Sequence, residues 1–222
     1  MLIRRLINIR PKFTVRNYHR DLIGHKMFVA KLVNPMLSQM ETGELQTLLK
    51  YNVYENNFHL VETLLVSNGK FTVDQQLIMT AIKTGNHKLV SLLIKYGFDI
   101  NSLNDKGQTI LMLACVDTAH SVIDESMIKT LIDLGADVNI QDATGKTALM
   151  YTIIKPSKNF SIGQIKELIK TMDIDFDLED NTGKNAMYYA HTSLNYYTLL
   201  NFCGLVDSAK LDTKIKKSTL IE

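Results

Sequence analysis

The GKT triplet in the stretch NIQDATGKTALM, residues 139–150, has the residue types that hold a phosphate group. In a phosphate-binding loop, G-x-x-x-x-G-K-[ST], backbone amides and the lysine surround the phosphates while the hydroxyl contacts the metal ion. That pattern needs a glycine five residues before Gly145, where this chain has Ile140. We therefore interpret GKT as part of a tight turn that begins a helix, and we predict no nucleotide or other cofactor.

Acidic side chains cluster in DIDFDLED, residues 173–180, which has five acids in eight residues. Carboxylates at this density bind calcium in EF-hand loops, where position six is glycine and position twelve is glutamate. Counted from Asp173, these positions hold Leu178 and Lys184. We therefore predict a loop with extra negative charge that attracts a basic partner surface, with a weak cation site as the alternative.

Catalytic groups could come from two polar segments, residues 116–126 and 155–163. The first contains Asp117, His120 and Asp124, but neither has the signature of a serine, cysteine or zinc hydrolase. His87, in GNHKLV, is interpreted as a structural histidine at a turn. An enzyme that uses these segments is the least favoured hypothesis, and we predict no catalytic residue and no small-molecule substrate.

The composition is that of an ordinary soluble globular protein, with 222 residues of which 45% are hydrophobic and 22% charged. No run of 18 apolar residues occurs, so no transmembrane segment is expected. Cys115 and Cys203 lie far apart in apolar sequence, which indicates buried thiols in a reducing or redox-neutral compartment. Two isolated cysteines and six scattered histidines do not supply a zinc site, so no metal site is predicted.

Charge is distributed unevenly along the chain, although the formal net charge is only +2. Residues 1–35 have eight Lys/Arg and one acid, a balance of +7, which leaves −5 for the remainder. A nucleic-acid-binding domain would cluster its basic residues on one folded face. A basic head on a mildly acidic body does not fit that pattern, so no nucleic-acid partner is predicted.

A repeat organises the body of the chain. The stretches NSLNDKGQTILMLA, NIQDATGKTALMYT and DLEDNTGKNAMYYA begin at residues 101, 139 and 177. Their glycines, Gly107, Gly145 and Gly183, are therefore 38 residues apart. The apolar phrases LLIKYGFDIN and TLIDLGADVN lead into the first two copies. Three copies in one register predict a single supersecondary unit that recurs and stacks on itself.

The phrases GADVNIQDATGKTAL and GNHKLVSLLIKYGFDIN are similar to the ankyrin repeat, in which G-x-T-P-L-H-x-A begins an inner helix and G-A-D-V-N follows an outer helix. The resemblance covers about residues 44–204. It implies an all-α solenoid of about four to five helix pairs, with short β-turn fingers between pairs. The usual period is about 33 residues, so the longer period here indicates enlarged inter-helix loops in two repeats, within residues 116–126 and 155–163. The first unit lacks a finger.

The repeat divides the chain into segments whose ends are approximate. We predict a basic head (1–20), an N-terminal extension (21–43), five repeat units (44–73, 74–106, 107–144, 145–182 and 183–204) and a polar C-terminal tail (205–222). A polar end is typical of a capping repeat, because the last unit has no neighbour to cover its outer face.

Local signals mark the helix ends within each unit. Thr109, Thr147 and Asn185 follow the repeated glycine by two residues and can cap the inner helix. Gly97 and Gly135 stand where the outer helix must end in a left-handed residue. The predicted core positions are the apolar residues Leu111, Leu149 and Met187 and the small residues Ala81, Ala114 and Ala190.

The head, MLIRRLINIRPKFTVRNYHR, contains six Lys/Arg and no acid, and the apolar residues at positions 2, 3, 6 and 7 share one helical face. Arg-rich, acid-poor and amphipathic segments are typical of mitochondrial transit peptides. Arg16-Asn17-Tyr18 resembles the R-x-Y sequence that precedes many matrix cleavage sites. We therefore expect a mitochondrial protein, in the matrix or facing it. The alternatives are a retained basic arm or interfacial helix, and a cytoplasmic protein.

These features favour a non-enzymatic protein–protein interaction module, an accessory or scaffold subunit of a larger, mitochondrial complex. The alternative is a cytosolic ankyrin adaptor or effector of a pathogen or virus. In the ankyrin family, finger tips and exposed inner-helix ends meet the partner. Within the GKT turn, Lys146 is the residue expected to be free for that role. Carried over by position, the partner-binding residues are Asp105, Lys106, Gln108, Ala143, Thr144, Lys146, Asn181, Thr182 and Lys184 in the fingers, and Lys83, Thr84, Asp117 and Lys155 on the inner helices.

Overall fold

Helices dominate the part of the chain that the structure, a computed structural model, describes: residues 40–68, 71–116, 123–154, 162–171 and 173–192. The helices in these residues are α1 (Thr42–Tyr54), α2 (Phe58–Asn68), α3 (Gln75–Lys83), α4 (His87–Lys95), α5 (Ile110–Val116), α6 (Glu125–Asp133), α7 (Ala148–Ile154), α8 (Ile162–Ile169) and α9 (Ala186–Thr192). The predicted all-α class is confirmed. None of the helices within these ranges has the length and apolarity needed to span a bilayer.

Side-chain caps begin the helices where the sequence predicts them. The Thr109 hydroxyl accepts the Met112 amide at 3.3 Å, the Thr147 hydroxyl accepts the Met150 amide at 3.4 Å, and the Asn185 side chain accepts the Tyr188 amide at 2.9 Å. Each cap satisfies an amide that has no partner within its own helix. Asp74, Asn86 and Asp124 cap α3, α4 and α6 in the same way.

Glycines end the outer helices, as predicted. Gly97 and Gly135 follow α4 and α6 with φ of 106° and 97°, a left-handed backbone conformation that residues with a Cβ rarely adopt. The chain then turns back toward the next inner helix. The first pair differs, because α2 ends at Asn68, the α3 cap is already at Asp74, and the described residues between them, 71–73, contain no finger turn.

Stacking of helix pairs creates one continuous core. Inner helices pack in the order α1, α3, α5, α7 and α9, while outer helices pack against their own inner helix and, for α2 with α4 and α6 with α8, against each other. Ala81, Ala114 and Ala190 are fully buried, which lets neighbouring helices approach closely. Leu111 and Leu149 are buried as predicted, and Met187 is partly buried. Each fully buried leucine contributes about 1.5–3 kcal/mol relative to exposure.

The two enlarged loops separate the helices of the third and fourth pairs. Helix α5 ends at Val116 and α6 begins at Glu125, and α7 ends at Ile154 and α8 begins at Ile162. Residues 117–122 and 155–161 lie outside the described residues, as do the head and the C-terminal tail. At the second loop, the sequence predicts that Pro156 ends the inner helix and that Ser161 caps the next one. Both residues lie outside the described ones, so these roles remain predictions.

Candidate functional site

Three fingers precede the last three inner helices, and we call them the finger row: residues 101–109, 139–147 and 177–185. Each turn is built around one side-chain oxygen. In the second finger, Asp142 Oδ1 accepts the Thr144 amide at 2.8 Å, the Thr144 hydroxyl at 2.7 Å and the Lys146 amide at 2.9 Å. The glycine of the turn, Gly145, has φ of 79°, which closes the loop.

The first and third fingers use the same arrangement. Asp180 accepts the Thr182 amide, the Thr182 hydroxyl and the Lys184 amide, while Asn104 accepts the amides of Lys106 and Gln108. The GKT stretch is thus a finger turn, as the repeat register predicts.

Tyrosines from the inner helices bury the two finger carboxylates. The Tyr151 hydroxyl donates to Asp142 Oδ2, and the Tyr189 hydroxyl donates to Asp180 Oδ2. Sequence reasoning missed both tyrosines. The available signal was their spacing, because each tyrosine follows its aspartate by nine residues, whereas the first copy has the pair Asn104 and Leu113 at these positions.

The hydrogen bonds control the ionisation of these aspartates. Burial by itself would raise the pKa of Asp142, but hydrogen bonds from Tyr151, Thr144 and the Lys146 amide outweigh burial and hold this pKa below its usual value. The pKa of Asp180 is lowered by the same balance, with Tyr189 and Thr182 as donors. Both carboxylates are therefore ionised at neutral pH.

Burial corrects part of the prediction for the acidic stretch 173–180. Asp173, Asp175, Asp177 and Glu179 are exposed, as a negatively charged loop requires, but Asp180 is only 4% exposed. Its charge is used inside the finger and not on the surface. Within the described ranges, no three His, Cys, Asp or Glu side chains come together as a candidate metal site.

Backbone hydrogen bonds join neighbouring fingers. The Ala143 amide donates to the Lys106 carbonyl at 3.0 Å, and the Asn181 amide donates to the Thr144 carbonyl at 3.0 Å. The Asn181 side chain also donates to the Ala143 carbonyl at 3.1 Å. The bonds recur at the 38-residue spacing, so each finger tip is held in a fixed position relative to the next.

Asparagines at the base of the fingers form a second set of bridges. Asn101 donates to the Gly135 carbonyl and accepts the Asp137 amide, at 3.1 and 2.9 Å. Asn139 repeats this with the Asp173 carbonyl and the Asp175 amide, at 2.7 and 2.8 Å. Each asparagine thus ties one repeat to the next through both halves of its amide.

The structure corrects the expectation that Lys146 is free. Its Nζ lies 3.5 Å from Asp180 Oδ2 of the next finger, the lysine side chain is 24% exposed, and the Asp180 side chain is fully buried. The Gln108 side chain, at the same register position one repeat earlier, donates to the Tyr151 hydroxyl at 3.1 Å. Each of the two residues therefore connects its finger to the Asp–Tyr pair of the next repeat.

The other predicted partner-binding residues differ in exposure. Lys184 is half-buried, with Nζ 5.1 Å from the Tyr188 ring centre, and the Thr84 hydroxyl donates to the Ala81 carbonyl at 2.7 Å. Asp117 and Lys155 lie outside the described residues. The exposed members of the set are Lys83, Asp105, Lys106, Ala143, Thr144, Asn181 and Thr182.

His87 has the structural role that the sequence predicts. Its Nδ1 lies 2.7 Å from the Thr130 hydroxyl and its Nε2 lies 3.3 Å from the Ser126 hydroxyl. The Ser126 hydroxyl in turn donates to Asp124 at 2.8 Å. The imidazole therefore joins the start of α4 to α6 of the following repeat.

Comparison with known proteins agrees with this geometry. The model of the family described as ankyrin repeats (3 copies) matches residues 49–142 and 118–208, which together make up more than half of the chain. One similar protein is the E3 ubiquitin-protein ligase XBAT32 of Arabidopsis thaliana, with 32% identity over 98 residues. The matched segment is 43% of this chain and 17% of that ligase. The chain thus corresponds to a small part of this relative.

Proposed function

Because this chain belongs to the ankyrin repeat family, we propose that its finger row and the exposed ends of its inner helices bind a protein partner. Ankyrin repeats indicate a protein–protein interaction module, and their fold is a non-catalytic interaction fold. The finer roles, an accessory or scaffold subunit and its cellular location, are part of the proposal.

The hydrogen-bonded finger row is the observation that carries the proposal. Finger-to-finger bonds from Ala143 to Lys106 and from Asn181 to Thr144 fix the tips before any partner arrives. A surface that is already ordered loses less conformational entropy on binding, so more of the contact energy appears as affinity. The exposed tips present polar side chains of both charges, which suits recognition of a folded protein surface.

The test reverses charge at two fingers. We expect Lys106→Glu with Lys184→Glu to weaken binding about tenfold or more, which corresponds to about 1.4 kcal/mol, because both lysines lie on the proposed face. Lys146 is left unchanged, because a glutamate there would face the buried Asp180 carboxylate and destabilise the fold. Crosslinking and mass spectrometry from native extract would identify the partner, and isothermal titration calorimetry would then measure its affinity.

A matched control makes the same charge change on the outer helix α4. Lys88 and Lys95 are exposed, and Lys95 lies 6.0 Å from the Tyr96 ring centre, much as Lys184 lies near Tyr188. Lys88→Glu with Lys95→Glu should leave the affinity unchanged. Equal affinity for the finger double variant and the wild-type chain would rule out the finger row as the binding face.

We also propose that the partner belongs to a mitochondrial complex, because residues 1–20 have the basic, acid-free and amphipathic character of a targeting segment. Fusion of residues 1–20 to a fluorescent reporter tests this directly. Mitochondrial fluorescence is expected, whereas a diffuse cytosolic signal would instead favour a cytosolic adaptor or effector. Replacement of Arg4, Arg5 and Arg10 with glutamine in the reporter is the matched control and should abolish import.

A further inference from the structure

Among the described residues, the finger row has an open edge at its N-terminal end. The amides of Ala143 and Asn181 each donate to the preceding finger, and Asp105 occupies the same register position in the first finger. The described residues of the link to α3, 71–74, contain no finger turn, and the Asp105 amide has no acceptor in the part of the chain that the structure describes. One position for a finger-to-finger hydrogen bond is therefore left open.

An open groove lies beside this edge, between the link to α3 and the first finger. Its apolar lining comes from Val73, Phe98 and Leu103, and its charged lining comes from Asp74, Asp99 and Asp105. Leu103 is a large apolar side chain that is 56% exposed. Among the described lining residues there is no lysine or arginine, although Lys50 Nζ lies 3.5 Å from Asp74 Oδ2.

We propose that this groove, which we call the edge groove, binds an extended basic segment of the protein partner; the inference rests on the proposed function. A backbone carbonyl of the segment accepts the Asp105 amide and so continues the finger-to-finger bonds. An aliphatic side chain covers Leu103, and lysine or arginine side chains approach Asp99 and Asp105. Extended segments commonly add to an open backbone edge in this way, with affinity from main-chain bonds and specificity from side chains.

Charge selects a basic segment over the other occupants. An acidic segment, or a second copy that presents its own edge groove, would bring carboxylates against Asp99 and Asp105 and be repelled. Attraction of a basic segment is local, because the formal net charge of the whole chain is +2 and does not favour cations in general.

The experiment uses the full chain and two defined probes, fluorescein-labelled twelve-residue peptides of alternating Lys and Val or of alternating Glu and Val. Fluorescence anisotropy should show the Lys–Val peptide binding at least tenfold more tightly than the Glu–Val peptide. Asp105→Lys and Leu103→Gln should each weaken the Lys–Val peptide several-fold, with thermal unfolding confirming that both variants fold. Glu55→Lys, an equal charge change at the end of α1, should have no effect.

Hydrogen exchange of the Asp105 backbone amide tests the proposed hydrogen bond directly. Exchange should be fast in the free chain and at least tenfold slower with saturating Lys–Val peptide. Equal binding of the two peptides, or unchanged Asp105 exchange in the complex, would overturn the inference. Slow exchange in the free chain would also overturn it, because another segment of this chain would then cover the edge.

The partner identified by crosslinking separates this inference from the proposed function. If the finger double variant loses the partner and Asp105→Lys does not, the edge groove fails while the finger row stands. If Asp105→Lys loses the partner and the finger double variant does not, the finger-row proposal fails while the edge groove stands. If neither variant loses the partner, both proposals fail. Loss with both variants supports both.

Discussion

Buried polar side chains decide the stability of the fingers at the scale of single residues. Asp180 accepts bonds from Thr182, Lys184 and Tyr189 and lies 3.5 Å from Lys146 Nζ, with no exposed side-chain surface. A buried carboxylate without such partners would be strongly unfavourable. Asn104 performs the turn-forming part of this role as a neutral amide in the first finger, where no tyrosine donates to it. The negative charge of Asp180 is thus stabilised by the Tyr189 hydroxyl and by the ammonium group of Lys146.

We expect Asp180→Asn to lower the free energy of unfolding at pH 7 by about 1–3 kcal/mol, because bonds to a charged group are lost. The folded-state pKa of Asp180 lies below its unfolded value of about 3.9. Its stabilisation is therefore complete above that value and is lost as the pH falls through the folded pKa. Urea unfolding at pH 7 and pH 3 should show the wild-type advantage shrinking in acid.

Asp105→Asn is the control for this measurement, since Asp105 is exposed and outside the buried network. It should change stability little at either pH. The wild-type chain and Asp180→Asn are compared by their free energies of unfolding. If the difference is equal at pH 7 and pH 3, the buried charge is not what stabilises the finger.

At the scale of the element, close contact between successive fingers determines where glycine is required. A Cβ on Gly145 would lie 2.8 Å from the Asn181 amide nitrogen and 2.8 Å from Asp180 Cα, whereas the nearest atom to a Cβ on Gly183 is Glu179 Oε2 at 3.9 Å. Both glycines have positive φ, of 79° and 73°. Both glycines are needed for the left-handed backbone conformation. Gly145 is needed for a second reason, because a Cβ there would collide with the third finger.

We expect Gly183→Ala to lower the free energy of unfolding by about 1–2 kcal/mol, because a residue with a Cβ is strained in the left-handed conformation. Gly145→Ala should lower it by about 1–3 kcal/mol more, because the backbone of the next finger must move. Chemical denaturation of the two variants under identical conditions measures the difference. Equal destabilisation would mean that the fingers do not pack as closely as described.

At the scale of the whole molecule, each repeat depends on its neighbours. Helix pairs contact the adjacent pairs, and Asn101 and Asn139 bridge successive repeats at the finger bases. Such a solenoid behaves as a row of units coupled to nearest neighbours, so loss of one bridge should act locally. The two asparagines allow the same change to be made at two positions along the row.

We expect Asn139→Ala to lower the free energy of unfolding by about 1–3 kcal/mol, since two hydrogen bonds to the next repeat are lost. Hydrogen exchange should accelerate mainly in α8 and α9, with α3 and α4 little affected. Asn101→Ala is the matched variant and should shift the effect one repeat earlier, to α6 and α7. If both variants accelerate exchange uniformly along the chain, the repeats are more strongly coupled than nearest-neighbour contacts imply.

The sequence by itself determined the repeat and its register, the helix caps at Thr109, Thr147 and Asn185, and the turn role of GKT. The register follows from the 38-residue spacing of the copies, and the caps and the turn follow from residues within a few positions of one another. The family resemblance added the all-α solenoid and the faces that meet a partner, and the assignment of those faces stays a prediction.

The tertiary structure alone decided which polar residues are used within the fold. It places Lys146 against Asp180 and Gln108 against Tyr151, and within the described residues it leaves the Asp105 amide without an acceptor beside the edge groove. These contacts join residues of successive repeats that lie far apart in the chain. Their geometry depends on how closely the helix pairs stack, which is a property of the assembled core that no local spacing in the sequence contains.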